Sequence, residues 1–339
     1  MNPLIHLNTT TSPLLLTLTL CIGLLPRAQA VVPPPDGGYP NFNTAEGQKA
    51  LFSLTSGQWN TALGAFTLWK NTDGSFNTAI GTAALLLNIG NQSAGEGVEN
   101  TAVGAAALLL NTTGSENTAV GVDALFNNTE GGFNTANGAF ALFSNTIGER
   151  NTATGDSALF GNTTGNINTA TGNAALVTNT TGDRNTAIGG FALQRSNSDS
   201  NTAIGASALR DNTTGFQNTA TGDDSLGNNT EGEANTATGF AALASNTAGV
   251  SNAAVGAFAL NSNTDGDSNT AIGTGTLSSN IINNFNTAVG AFALSSTTGA
   301  GNTALGGLAG TNVTTANYVI AIGTEGANVS DSCYIGNIW

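Results

Sequence analysis

The stretch "NTATGDSALFGNTTGNINTATGNAAL", from Asn151 to Leu176, states almost the same motif twice, 17 residues apart. Each copy begins Asn-Thr-Ala-x-Gly and continues with a small residue and Leu, and the first then reads Asn-Thr-Thr-Gly. Seventeen residues cannot bury a core alone, so such units must stack coil upon coil. The motif therefore predicts a solenoid.

The repeat runs through most of the chain. Its opening Asn stands at residues 43, 60, 77, 100, 117, 134, 151, 168, 185, 201, 218, 235, 252, 269, 286 and 302, which makes sixteen units. Twelve steps between them are 17 residues, two are 16 and one is 23. The longest step begins at Asn77, and its extra residues lie around "NIGNQSAGEGVE", so we expect that insertion in a turn.

When the units are aligned, several repeat positions accept a side chain of only one size. Positions are counted from the opening Asn as position 1. Position 5 is always Gly, position 9 is Leu in every unit but the last, and position 4 is mostly β-branched. This pattern favours a strand over Asn-Thr-Ala-x-Gly, ended by a Gly that needs a positive φ or a close backbone approach. The central members of these structural ladders are Gly104, Leu108, Gly121, Leu125, Gly138, Leu142, Gly155, Leu159, Gly172 and Leu176.

The rest of each unit leaves one alternative open. The "xxALxxN" segment fits a second short strand or one helical turn, and Asn-Thr-Thr-Gly fits a tight turn with Asn and Gly in left-handed conformations. We predict an all-β fold, a parallel β-solenoid or β-roll of sixteen coils of about 17 residues, with the Leu column inside. Asn and Thr at the strand start are expected to hydrogen-bond along the stack.

The outward face of the strands suggests a partner. In "NTAIG", Thr and Ile project to one side and Ala to the other, and neither side carries regular charge, as though both were covered. The sequence therefore predicts association with further copies of the chain. Glu46 and Asn137 at position 4 are awkward in a dry interface, and a solvent-exposed Thr face is the alternative.

The first thirty residues differ from the rest. "PLLLTLTLCIGLLP" is an apolar run followed by Ala28-Gln29-Ala30, which is typical of a signal peptide cleaved before Val31. The run is too short for a spanning helix, so we expect a secreted or cell-surface protein without stable membrane insertion; a membrane-retained anchor is the alternative. The predicted organisation is a signal peptide at 1–30, a linker at 31–42, the repeat domain at 43–316 and C-terminal strands at 317–339.

Composition argues against several classes of function. The 339 residues include 7 Lys and Arg against 21 Asp and Glu, giving a net charge of −14, and the bases are isolated, so nucleic acid is not an expected partner. The one His, His6, lies in the predicted signal peptide, and the mature chain keeps one Cys, Cys333. We therefore expect no enzymatic activity, metal or cofactor, and we expect Cys333 to be a small buried residue.

The motifs "NTAIG", "NTAVG" and "VIAIG" resemble the head repeats of trimeric autotransporter adhesins. That resemblance implies a trimeric, left-handed parallel β-roll. The chain is also similar to exported bacterial tail-fibre-like proteins with "NTAIGxxALxxNTTG" units, and shares with them "VVPPPDGGYPNFNTAEG" from Val31 to Gly47. In those proteins the passage matching "NYVIAIGTEGANVSDSCYIGNIW" leads into an endosialidase-type chaperone domain. The 339 residues do not contain that domain, so the resemblance carries over no catalytic residue.

These observations favour a structural or adhesive surface fibre, a homotrimer that acts as a spacer or binds an unknown surface or glycan. An ice-binding solenoid with a Thr ladder is the main alternative, and a carbohydrate-active solenoid enzyme is the least supported. Binding residues are expected where the repeat is irregular. The insertion contributes Asn91, Glu96 and Glu99. The stretch "SNSDS", from Ser196 to Ser200, contributes Asn197, Ser198 and Ser200 as its named candidates.

Overall fold

A computed structural model describes residues 38–336, which form an all-β parallel solenoid. The predicted signal peptide, most of the predicted linker and the last three residues lie outside the described part. The strands are β1 (Gly38–Tyr39), β2 (Asn43–Glu46), β3 (Thr61–Leu63), β4 (Thr78–Ile80), β5 (Thr101–Val103), β6 (Thr118–Val120), β7 (Thr135–Asn137), β8 (Thr152–Thr154), β9 (Thr169–Thr171), β10 (Thr186–Ile188), β11 (Thr202–Ile204), β12 (Thr219–Thr221), β13 (Thr236–Thr238), β14 (Ala253–Val255), β15 (Thr270–Ile272), β16 (Thr287–Val289), β17 (Thr303–Leu305), β18 (Ile320–Ile322) and β19 (Cys333–Ile335).

Each strand from β2 to β18 pairs in parallel with the next strand along the chain. The register is strict, so that Thr152 faces Thr169, Ala153 faces Ala170 and Thr154 faces Thr171. β1 pairs antiparallel with β2 at the N-terminal end of the sheet. The predicted parallel stack of Asn-Thr-Ala-x-Gly strands is therefore confirmed, and β18 and β19 extend it past the sixteen regular units.

The core is made by repeat positions 3, 8 and 9. In the central coil Ala153, Ala158 and Leu159 are fully buried, and the same positions repeat through the stack as one continuous cluster. Burying each Leu contributes about 1.5 to 3 kcal/mol. The Leu column is thus inside, as the sequence predicts.

Two columns of buried Asn, at positions 1 and 12, hold the coils in register. The amide nitrogens of Asn151 and Asn162 donate to one carbonyl oxygen, that of Gly165, at 2.8 and 3.0 Å. Asn151 Oδ1 accepts from the backbone N–H of Asn168 in the next coil at 3.0 Å. Asn162 Nδ2 also donates to Asn145 Oδ1 in the preceding coil at 2.8 Å. The position-1 ladder that the sequence predicts is confirmed. The position-12 ladder is a feature that the sequence does not predict.

The segment after the strand is neither a second strand nor a helix. Residues 156–161 form a turn in which Ser157 and Leu159 have φ of 57° and 52°. Among residues 38–336, the sole 3-10 segment is Pro40–Phe42, before the first coil. The suggestion of one helical turn per coil is therefore wrong, because a right-handed helix excludes the left-handed φ of positions 7 and 9, and the N–H of Leu159 bonds to the next coil instead.

The prediction of left-handed Asn and Gly in the "NTTG" turn is also wrong. The left-handed residues stand at positions 7, 9 and 17, such as Ile167 with φ of 59°, and include neither Asn162 nor Gly165. A Cβ on Gly165 would lie 2.5 Å from the carbonyl oxygen of Gly182. This Gly is required by close coil packing, and the Asn is required for its buried amide.

The position-5 Gly meets both of the predicted requirements. Gly155 has φ of +128°, and a Cβ there would lie 2.7 Å from the carbonyl oxygen of Gly172. No side chain fits between successive coils at this place, and an L residue resists that φ. The prediction for this column is confirmed.

Cys333 is exposed, so its predicted burial is wrong. It occupies the outward position at the start of β19, and strand alternation turns the next residue, Tyr334, against the core. The residue packed at the inward position of this last strand is an aromatic ring rather than the thiol.

Candidate functional site

The insertion in the third coil forms a small hairpin. Asn91 and Glu96 exchange backbone hydrogen bonds of 2.8 and 3.0 Å, and Ser93 Oγ donates to Asn91 Oδ1 at 2.8 Å. Glu99 lies outside the hairpin, at repeat position 17 with φ of 59°. Of the three residues predicted here, the structure brings two together through their backbones.

The second predicted loop lies in a coil that is one residue short, at position 14. Asn185 Nδ2 donates to the carbonyl oxygen of Ser198 at 2.7 Å. In regular coils the carbonyl oxygen of the position-15 Gly accepts this hydrogen bond. Asn197 Oδ1 accepts from the backbone N–H groups of Thr180 and Thr181, both at 2.9 Å. One coil earlier, the N–H of Thr163 donates to a backbone carbonyl oxygen instead, that of Thr180, at 2.9 Å. A side-chain oxygen thus replaces a carbonyl, and the loop is recessed.

A groove of about 620 Å³ lies over this short coil. We call it the Ser198 groove; its lining is Thr181, Asp183, Arg184, Asn197, Ser198, Asp199, Ser200, Thr214, Phe216 and Gln217. Four of the five residues of "SNSDS" border it, and the fifth, Ser196, is buried and does not. Sequence reasoning missed the six lining residues that come from the coils on either side: Thr181, Asp183, Arg184, Thr214, Phe216 and Gln217. The fixed offset between adjacent coils could have found them.

The two carboxylates of the groove are held by the backbone. Asp183 Oδ1 accepts from the backbone N–H of Asn166 at 2.7 Å, and Asp199 Oδ1 accepts from that of Asp183 at 2.8 Å. The other oxygen of each carboxylate makes no hydrogen bond with the described residues, and the same is true of the side chains of Arg184 and Gln217. With two acids and one base, the groove is polar and weakly acidic.

Other charged residues pair away from the groove. Arg195 and Arg210 reach the carboxylate of Asp211 at 3.0 and 2.8 Å, and Asp224 lies 3.9 Å from Arg210. The hydrogen bond with Asp211 raises the pKa of the Arg210 guanidinium above its usual value. Within residues 38–336, no three His, Cys, Asp or Glu side chains gather in a way that could hold a metal ion.

The outward face of the sheet is a second candidate surface. Every strand from β2 to β17 except β14 turns a Thr outward at repeat position 2, and aliphatic residues or Thr dominate position 4. Ile188, Ile204 and Ile272 are 40%, 40% and 43% exposed. The hydroxyls that bond along the stack stand elsewhere, at position 13, where Thr163 Oγ1 donates to Thr180 O at 3.0 Å. The prediction that the strand-start Thr bonds along the stack is therefore wrong. Among the described residues its hydroxyl stays free to bind a partner or solvent.

No helix among residues 38–336 is both long enough and apolar enough to cross a membrane. A scan of known protein families gives no model that matches the chain, and no curated protein matches it.

Proposed function

We propose that this protein is a non-enzymatic structural and adhesive protein of the cell exterior, in which the solenoid is a spacer that presents irregular loops. The observation that carries the proposal is the separation of fixed and variable positions. Inward Ala, Leu and Asn hardly change from coil to coil, whereas insertion and deletion fall in outward loops. A scaffold that displays changeable loops has this property.

Export and attachment can each be measured. The full chain expressed in its native cell is expected to be released or displayed after cleavage before Val31, detected by N-terminal sequencing and by protease accessibility on intact cells. The purified mature protein is expected to attach to cells or extracellular material. An uncleaved intracellular chain, or a mature chain that attaches to nothing, would contradict the proposal.

We also propose that the chain assembles as a homotrimer through the outward strand face. The exposed aliphatic column favours this, because an uncharged face gains free energy when it is removed from water. Light scattering on the mature protein is expected to report three copies per particle. A folded monomer over a wide concentration range would contradict it.

A second candidate, ice binding, is favoured by the free hydroxyls of the outward Thr column. The strict register repeats these hydroxyls at the strand spacing of about 4.8 Å, and a flat hydroxyl array orders water. Thermal hysteresis and faceted ice crystals would support this function, and an effect no larger than that of an unrelated protein of equal size would exclude it.

A further inference from the structure

We propose that the Ser198 groove binds an uncharged carbohydrate. This inference rests on the proposed attachment role and assigns it a site and a ligand class. It begins from shape: the coil from Asn185 to Ser200 is one residue short, while its neighbours keep Thr181 and Thr214 at the missing position. The resulting recess, about 620 Å³, has the size of a small-ligand pocket.

The polar groups of the recess suit hydroxyl groups. Asp183 and Asp199 each use one carboxylate oxygen to hold a backbone N–H of the stack, which fixes the carboxylate and leaves the other oxygen as an acceptor. Successive coils are about 4.8 Å apart, so the two carboxylates can serve neighbouring hydroxyls of one ring. The side chains of Arg184 and Gln217 supply donors that the described part of the chain does not use.

An aromatic ring completes the set. Phe216 borders the groove and is 38% exposed. A sugar ring presents apolar C–H groups on a face and hydroxyls around its edge, so it can stack on Phe216 while the edge reaches the carboxylates. One ligand class thus satisfies both the apolar and the polar part of the lining.

Charge selects against anionic ligands. The groove holds two carboxylates and one guanidinium, and the whole chain carries a net charge of −14. Phosphates, sulfated sugars and sialylated sugars would meet this charge with little compensation from bases. We therefore assign the groove to neutral sugars.

The test is a glycan array carrying neutral and acidic oligosaccharides, probed with the labelled mature protein, followed by calorimetric titration of the neutral oligosaccharide that gives the strongest signal. We expect binding to neutral glycans. Phe216→Ala is expected to weaken it at least tenfold. Asp199→Asn keeps the oxygen that holds Asp183 and replaces the free acceptor by an amide donor, so it should weaken binding several-fold without unfolding the coil.

Two further variants control for folding. Inserting one Thr between Asn197 and Ser198 restores a 17-residue coil and fills the recess, and it is expected to abolish binding while circular dichroism stays unchanged. Phe133→Ala removes an exposed ring from another coil and should leave affinity unchanged.

The inference is overturned if no neutral glycan binds, if only acidic glycans bind, or if the Thr insertion leaves affinity intact in a folded protein. Attachment to cells that persists in the insertion variant would contradict a role of the groove in attachment but leave the proposed function standing. Sugar binding without any attachment would support the groove and contradict the adhesive role.

Discussion

At the scale of single residues, stability rests on repeated small contributions that the stack adds together. Leu159 is fully buried, and its backbone N–H donates to Ala175 of the next coil at 3.0 Å. Asn162 is equally buried and its amide group bonds in two directions. A defect in either column therefore acts on two coils at once.

We expect Leu159→Ala to lower the free energy of unfolding by about 2 to 5 kcal/mol, because it leaves a cavity between coils that cannot collapse onto each other. Chemical denaturation of the mature protein measures the change. The control is Ile147→Ala, which shortens an aliphatic side chain that is 49% exposed. A loss below 1 kcal/mol, of the order seen for surface substitutions, would mean that the Leu column does not carry the core.

Ser196 interrupts the position-12 ladder in the middle of the stack. It stands where regular coils have Asn, and the fully buried Asn179 Oδ1 has no hydrogen-bond partner among the described residues. Ser196→Asn supplies the missing amide donor and is expected to raise stability by about 1 to 2 kcal/mol, since an unpaired buried acceptor costs about that much. Asn162→Ser in a regular coil should lower stability instead. Equal midpoints of denaturation for Ser196→Asn and the unchanged protein would contradict the argument.

At the scale of the single coil, backbone conformation decides which residues can be exchanged. Position 5 has a φ near +130° and touches the next coil, whereas position 7 has a φ near +55° and is half-buried in many coils. Gly275 already occupies position 7 in one coil with φ of +62°. Gly is therefore required at position 5, whereas position 7 accepts either Gly or a residue with a side chain.

Gly155→Ala is expected to cost at least about 2 kcal/mol, because the added methyl group meets the backbone of Gly172 and the φ is unfavourable for Ala. Ala174→Gly should be neutral or stabilise by up to about 1 kcal/mol, since relief of a left-handed Ala outweighs or matches the added freedom of the unfolded chain. Thermal unfolding of both variants checks the pair. A more stable Gly155→Ala would show that the coils do not approach as described.

The coil also shows what the sequence can and cannot predict. Periodicity identifies the strand, the Leu column and the position-5 Gly, because each column tolerates one size. It cannot tell why Asn162 recurs, since Asn serves equally well in a left-handed turn and as a buried amide. It gives no sign that Leu159 takes a positive φ, which bulky residues avoid. The sequence predicts the part of the Ser198 groove that comes from "SNSDS". It does not predict the residues that complete the groove, because they belong to neighbouring coils.

At the scale of the whole molecule, the two surfaces make different demands. The groove occupies one coil and depends on an irregularity, so its loss should leave the stack intact. The outward strand face runs along the sheet from β2 to β19 and depends on regularity, so its effects should be cumulative. Attachment and assembly are therefore separable by mutation.

The trimer proposal predicts that charge on the strand face is disruptive while charge elsewhere is not. Ile188 and Ile204 are neighbours on β10 and β11 with paired Cα positions, and replacing both by Glu places like charges one strand apart on a chain already at −14. Burying them in an interface would cost several kcal/mol, whereas in water they are tolerated. We expect this double variant to be a folded monomer by light scattering and circular dichroism. Ser245→Glu with Ser262→Glu places the same two charges at position 11 of adjacent coils, away from the strand face, and should remain trimeric. If both double variants give the same particle mass, the copies do not meet through this face.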